Sequence, residues 1–238
     1  MSKIDLASFR MFSFDCYGTL IDWEAGLLEA LQPICDQHGL AWSEDALLST
    51  FGAAEHVVEA GGKGFLCYRE VLSRVLTEMG KTLGFHPDAN ECARFAASVG
   101  NWPAFADSEA SLRELQSHGQ LTILSNVDND LFAESEKRLG VKFDHVFTAQ
   151  DIGSYKPSSR NFDYLIENAG VPRNQILHVA QSLFHDVAPA NAAGLTTVWV
   201  NRRKGKAGDG ATPESNAKPD LEVPDMATLA ELLRATLR

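Results

Sequence analysis

Cysteine is scarce in this chain of 238 residues, and the four present are not paired in spacing. Cys16, Cys35, Cys67 and Cys92 are scattered with no C-x-x-C, which argues against a disulfide frame or a zinc ribbon and for reduced thiols. Long uncharged apolar runs are missing, so no segment reads as a membrane span. The first ten residues carry Lys3, Asp5 and Arg10 where a secretory leader would place an apolar stretch. A cytoplasmic location is therefore expected. Positive charge is also in deficit: a net charge of −11 argues against a nucleic-acid partner, which needs a basic face to neutralise phosphates. Repeats and low-complexity tracts are absent. Gly61-Gly62-Lys63-Gly64 lacks the glycine spacing and the following Ser or Thr of a phosphate loop, and reads as a turn.

What remains is the composition of a globular protein, 45% hydrophobic and 22% charged, enough to bury a full core. Short runs rich in Val, Ile, Phe and Leu alternate with helical stretches, which predicts parallel strands joined by crossover helices. Strands are expected at Arg10 to Phe14, Leu121 to Leu124, His145 to Thr148, Ile176 to Val179, Thr197 to Val200 and, more weakly, Leu221 to Val223. Helices are expected at Ser108 to Ser117, Asn129 to Leu139, Arg160 to Asn168, Val187 to Ala193 and Met226 to Leu237.

The alternation has one gap. From Trp23 to about Val99 only helical periodicity is visible, in Leu27, Leu28, Leu31 and Ile34, then Leu47, Leu48 and Phe51, then Tyr68, Val71, Leu72, Val75, Leu76 and Met79. This predicts a doubly wound, Rossmann-like α/β core formed by residues 1–20 and 101–238, with a helical insertion at 21–100. The Gly-, Lys-, Ser- and Pro-rich stretch from Arg202 to Pro219 reads as a loop, and its run Arg202-Arg203-Lys204-Gly205-Lys206 as solvated charge.

Four polar clusters stand just past the ends of four different expected strands: Asp15-Cys16-Tyr17-Gly18-Thr19, Ser125-Asn126, Ser154-Tyr155-Lys156-Pro157 and Gln181-Ser182-Leu183-Phe184-His185-Asp186. In an open parallel sheet those ends face one crevice, so the clusters should converge. Taken singly each is a common turn or helix cap. Together, in that order, they are hard to explain by chance: a carboxylate such as Asp15 can serve as a nucleophile when a lysine such as Lys156 within reach holds it ionised, and hydroxyls and backbone N–H groups around Thr19, Ser125 and Asn126 can cradle an anion. Asp186 could then orient or deprotonate a water. His185 could donate a proton or merely pack. Cys16 reads as buried and inert, turned away by strand alternation.

In these motifs the sequence resembles the haloacid dehalogenase superfamily, with its D-x-x-G-T, Ser/Thr, Lys-Pro and acidic motifs in this order. The resemblance implies that Asp15 is the nucleophile, that Thr19 and Ser125 bind the anionic end of the substrate, that Lys156 and Asp186 complete the catalytic set, and that the insertion is a helical cap. Tyr17 stands where phosphatases of the superfamily carry a general acid. The spelling D-x-Y-G-T resembles the 2-haloacid dehalogenases, which use no metal or other cofactor.

The resemblance implies a small anionic organic substrate, with Tyr17, Asn126, Ser182, Trp102 and Phe162 as its candidate binding residues, and leaves a homodimer open. Trp102 and Phe105 would line a pocket or pack the hinge. Three features depart from those dehalogenases: no Arg or Lys lies between Ala41 and Gly62, Phe162 replaces a Tyr, and Gln181 and Leu183 replace a Ser and an Asn. Asp22-Trp23-Glu24, Asn101-Trp102-Pro103-Ala104-Phe105 and Ser182-Leu183-Phe184-His185-Asp186 are also similar to azetidine-2-carboxylate hydrolases, in which a strained ring opens by attack at a comparable carbon. The further alternatives are a magnesium-dependent phosphatase, with Asp15, the Tyr17 carbonyl and Asp186 around the metal, and a non-catalytic binding protein on the same fold.

Overall fold

The computed structural model describes residues 4–61, 64–204 and 215–237, without the side chains of 59–61. Six strands form one sheet: β1 (Met11–Phe14), β2 (Gln120–Ser125), β3 (His145–Thr148), β4 (Ile176–Ala180), β5 (Thr196–Val200) and β6 (Leu221–Val223). All pairs are parallel, in the order β3-β2-β1-β4-β5-β6. The central strands read as continuous apolar runs because helices cover both faces of such a sheet. All four residues of β1, Met-Phe-Ser-Phe, are buried.

The chain steps outward from β1 to β3 and then returns to β4 on the other side of β1. Strand order therefore reverses at β1, and a crevice opens at the carboxyl ends of β1, β2 and β4.

The insertion after β1 holds four helices, α1 (Trp23–His38), α2 (Glu44–Gly61), α3 (Tyr68–Leu83) and α4 (Ala89–Ala97). Each local signal has its cause. Asp22 accepts a hydrogen bond from Ala25 N at the start of α1, and α4 opens on a reciprocal capping box between Asp88 and Glu91. The stripe Tyr68, Val71, Leu72, Val75, Leu76 and Met79 is buried along α3. The insertion is sealed to the rest of the molecule at Gly26, where a Cβ would stand 2.3 Å from Trp102 Cγ.

The remaining helices are α5 (Ser108–Gln116), α6 (Asn129–Leu139), α7 (Ala149–Ile152), α8 (Ser159–Asn168), α9 (Ala188–Ala192) and α10 (Met226–Thr236). Among the described residues no helix is long and apolar enough to cross a membrane.

Two expectations need correction. The helix expected from Val187 starts at Ala188, and Leu183–Val187 instead forms a π-helical turn, opened by Ser182 Oγ accepting from His185 N. The basic run is not solvated at its start. Arg202 forms a fork with both oxygens of Asp107 at 2.9 Å, donates to Thr19 O at 2.8 and 3.2 Å, and lies over the ring of Phe105. Arg203 Nη1 donates to both oxygens of Glu24 at 2.7 Å. Gly62, Lys63, Gly205 and Lys206 lie outside the described residues.

Candidate active site

The first cluster follows β1. Asp15 N still donates to Val179 O at 3.1 Å, so the backbone is held by the sheet while the side chain turns into the crevice. Gly18 makes the turn behind it at φ +91°, beside Trp23 and Gln181, where any side chain would be strained. That turn folds Thr19 back, and its Oγ1 donates to Asp15 Oδ2 at 2.8 Å while accepting from Gln181 N at 2.9 Å. Thr19 is buried and absent from the pocket wall, so the expectation that it binds the substrate's anionic end is corrected: it holds Asp15.

Lys156 reaches in from beyond β3. Its Nζ donates to Asp15 Oδ1 at 2.8 Å, Asp186 Oδ1 at 2.6 Å and Leu124 O at 2.9 Å, so all three of its protons are engaged. The side chain is 1% exposed. Asn126 grips its backbone from both sides, accepting from Lys156 N at 2.7 Å and donating to Lys156 O at 3.0 Å. The Asn126 side chain thus positions the lysine, which corrects its assignment as mainly a substrate ligand, although it also borders the pocket. Asp186, on the π-helical turn after β4, is also held by His178, whose Nε2 lies 3.1 Å from the same Oδ1 that Lys156 contacts; His178 Nδ1 faces Ser13 Oγ at 2.9 Å.

One ammonium therefore serves two buried carboxylates. Burial is the largest influence on each. For Asp15 burial and the nearby charge of Asp186 prevail, and its pKa is raised despite Lys156 and Thr19. For Asp186 the opposing pull of Lys156 and His178 prevails and its pKa is lowered. Lys156 is raised: the two carboxylates outweigh the penalty of burial.

These groups open on a cavity of about 80 Å³, lined also by Tyr17, Trp23, Glu55, Tyr68, Ser125, Gln181, Ser182 and His185. Among the described residues Ser125 Oγ, which is buried, has no hydrogen-bond partner, which leaves it free for a ligand. Tyr17 borders the cavity, but its hydroxyl is 3.0 Å from Ser135 Oγ and its ring meets Trp102 edge-on. Ser182 borders it too, with Oγ capping the π-helical turn. His185 is pushed down to about 4 by burial and is neutral at pH 7.

Two candidates lie elsewhere. Trp102 is buried in the seam against α1, with Nε1 donating to Ser98 Oγ at 3.2 Å. Phe162 is buried under the sheet against the ring of His178. Neither touches the cavity, because hinge and core packing claim both rings. Cys16 is buried, its thiol pushed well up by burial and by Asp15.

Three residues escaped the sequence reading. His178 is a lone imidazole in the buried strand Ile-Leu-His-Val-Ala, a signal that a polar partner had to lie beside it. Asp128 is buried and accepts from Tyr68 N at 2.8 Å and Arg69 N at 3.0 Å, so a side chain of the core caps the first turn of α3. Glu55 interrupts the apolar face that Leu48, Phe51 and Val58 mark on α2, and that interruption was its signal.

The residues do not fit the magnesium site considered for a phosphatase. The Lys156 ammonium sits between the two carboxylates the ion would need, bonded to them at 2.8 and 2.6 Å.

The chain is 24% identical over 231 residues to an (S)-2-haloacid dehalogenase of Pseudomonas sp. strain YL, covering 92% of each chain. It is 32% identical over 170 residues to a phosphoserine phosphatase of Thermus thermophilus, covering 67% of this chain and 65% of that one. The solved L-2-haloacid dehalogenase of Xanthobacter autotrophicus with chloropropionic acid covalently bound shares the fold, at TM-score 0.78 and 23% identity over 95% of this chain and 98% of that one. The family model of the haloacid dehalogenase-like hydrolases matches residues 9–194. With its parallel sheet, its helical insertion after β1 and its four motifs gathered at the strand ends, the chain belongs to the haloacid dehalogenase-like hydrolases.

Proposed function

We propose that this hydrolase acts on a short carboxylic acid substituted at C2, by displacement at that carbon through an Asp15 ester, with 2-haloacids as the class its relatives support. The observation that carries the proposal is the setting of Asp15: it faces the cavity with one oxygen braced by Lys156 and the other by Thr19, and the position two residues on holds a tyrosine already bonded to Ser135 rather than a carboxylic acid. A halide leaves as a stable anion and needs no proton donor, whereas an alkoxide leaving from phosphorus does.

In the first step a lone pair of Asp15 forms the O–C2 bond while the C2–halogen bond breaks and the halide carries off its electron pair. Ser125 Oγ, free of other partners, donates to the substrate carboxylate. In the second step water attacks the Asp15 carbonyl carbon and the acyl C–O bond breaks; one water proton passes by way of Asp186 to the departing C2 oxygen and the other to solvent, so that Asp15 returns to its carboxylate and the 2-hydroxy acid leaves. Lys156 balances the charge that Asp15 regains.

The test is chloride and lactate release from each enantiomer of 2-chloropropionate. Stoichiometric release that disappears in Asp15→Asn supports the reading; release that persists in that variant overturns it. A second reading, ring opening of azetidine-2-carboxylate by the same attack, draws support from the cavity wall, where Lys156 is the only lysine or arginine among the described residues.

A further inference from the structure

Glu55 is the one charged group that the insertion contributes to the cavity wall among the described residues. It is half-buried on α2, and Tyr68 Oη donates to its Oε1 at 3.0 Å, fixing the carboxylate towards the crevice. Among the described residues no lysine or arginine pairs with it, and Lys156, the cationic side chain of the wall, is already shared by Asp15 and Asp186. The cavity thus holds three carboxyl groups against one ammonium. A simple organic anion entering it meets excess charge of its own sign, while a cation beside Glu55 would complete the missing pair.

We propose that Glu55 recognises a protonated nitrogen on the substrate, so that the short acid turned over here carries a basic nitrogen beside its carboxylate. The carboxylate would sit at the unpartnered Ser125 Oγ, and the primary or ring secondary ammonium would lie at Glu55. This rests on the Asp15 reading only for which carbon reacts; the recognition itself is a binding claim that needs no turnover. Both an azetidine acid and a halogenated amino acid satisfy it, since each offers the same charged nitrogen.

The titration behaviour agrees. Burial pushes Glu55 up to about 7, against the hydrogen bond from Tyr68. The charged and titratable groups facing the same cavity are Tyr68 from α3, Asp15 and Tyr17 after β1, Lys156 after β3, and His185 and Asp186 after β4. A cation at Glu55 would favour its ionised form, so binding of such a ligand should tighten as pH rises through 7.

The experiment compares inert ligands that differ in the nitrogen alone: each enantiomer of alanine against isobutyrate, which carries a methyl in place of the ammonium, by titration calorimetry on the intact protein. At pH 8 the better alanine enantiomer should bind at least tenfold more tightly than isobutyrate, a preference of about 1.4 kcal/mol. Glu55→Gln should reduce that ratio to below twofold, and the wild-type ratio should shrink at pH 5.5. Equal or tighter isobutyrate binding in the wild type, no detectable alanine binding, or an unchanged ratio in Glu55→Gln overturns the proposal. If Glu55→Gln does not fold, the wild-type ratio at the two pH values decides. Failure here leaves chloride release and its loss in Asp15→Asn untouched, while failure of the Asp15 chemistry leaves the alanine preference standing.

Discussion

At the scale of single residues, the shared ammonium makes different outcomes for its neighbours. Replacing Lys156 by Met strands two buried carboxylates, 8% and 1% exposed, without their counter-charge. Breaking a buried pair in this way costs about 3–5 kcal/mol, so Lys156→Met is expected to unfold at markedly lower urea as well as to lose activity. Asp15→Asn is the reverse case. The folded state raises the Asp15 pKa above its unfolded value, so the native protein binds more protons, and ionised Asp15 lowers stability as pH climbs above roughly 4. The neutral variant is therefore expected to be inactive yet folded, with a melting temperature equal to the wild type near pH 4 and above it at pH 7. Asp186 runs the other way: its lowered pKa contributes stability that is present above the unfolded value and is lost on acidification through the folded one. The candidates Asp15, Lys156 and Asp186 were legible because each is a charged residue in a polar cluster that follows an apolar strand. The parts played by Thr19, Asn126, Trp102 and Phe162 were not, since the turn at Gly18, the lysine backbone and the hinge seam choose their partners only in three dimensions.

At the scale of elements, the join between insertion and core turns on Asp128, which lies just before α6 and caps the start of α3. Losing such a cap costs about 1 kcal/mol. Asp128→Ala is expected to lower the melting temperature by about 2–4 °C, as that loss implies for a chain of this size, and to raise KM more than it changes kcat, because α3 carries Tyr68 to the cavity wall. The neighbouring pair Arg69–Asp130 is exposed, 40% and 64% at the side chains, and Arg69→Ala should change stability little. Strands β3 and β6 and helix α6 stand where periodicity placed them; β1, β4 and β5 differ by one residue at one end, and β2 by one at each end. The π-helical turn at Leu183–Val187 had no such legibility, because a widened turn leaves no trace in hydrophobic spacing and is set by the Ser182 cap and the pull of Lys156 on Asp186.

At the scale of the whole molecule, the reversal of strand order at β1 brings together groups up to 171 residues apart, from Asp15 to Asp186, and the insertion after β1 covers the crevice they share. The charge state of that assembly sets its working range. Asp15 must be ionised to attack, and its pKa is raised, so kcat/KM for 2-chloropropionate should fall on an acid limb that lies above the ordinary carboxylate range. Lys156 is raised and His185 is already neutral, so neither should impose a limb between pH 7 and 9. A pH profile of kcat/KM checks both statements. The most direct measurement of the central claim is a single turnover in ¹⁸O-labelled water with enzyme in excess, followed by mass analysis of the peptide that contains Asp15. The ester route predicts one ¹⁸O in that carboxyl and unlabelled 2-hydroxy acid from the first turnover; label in the product with none in the peptide would contradict it.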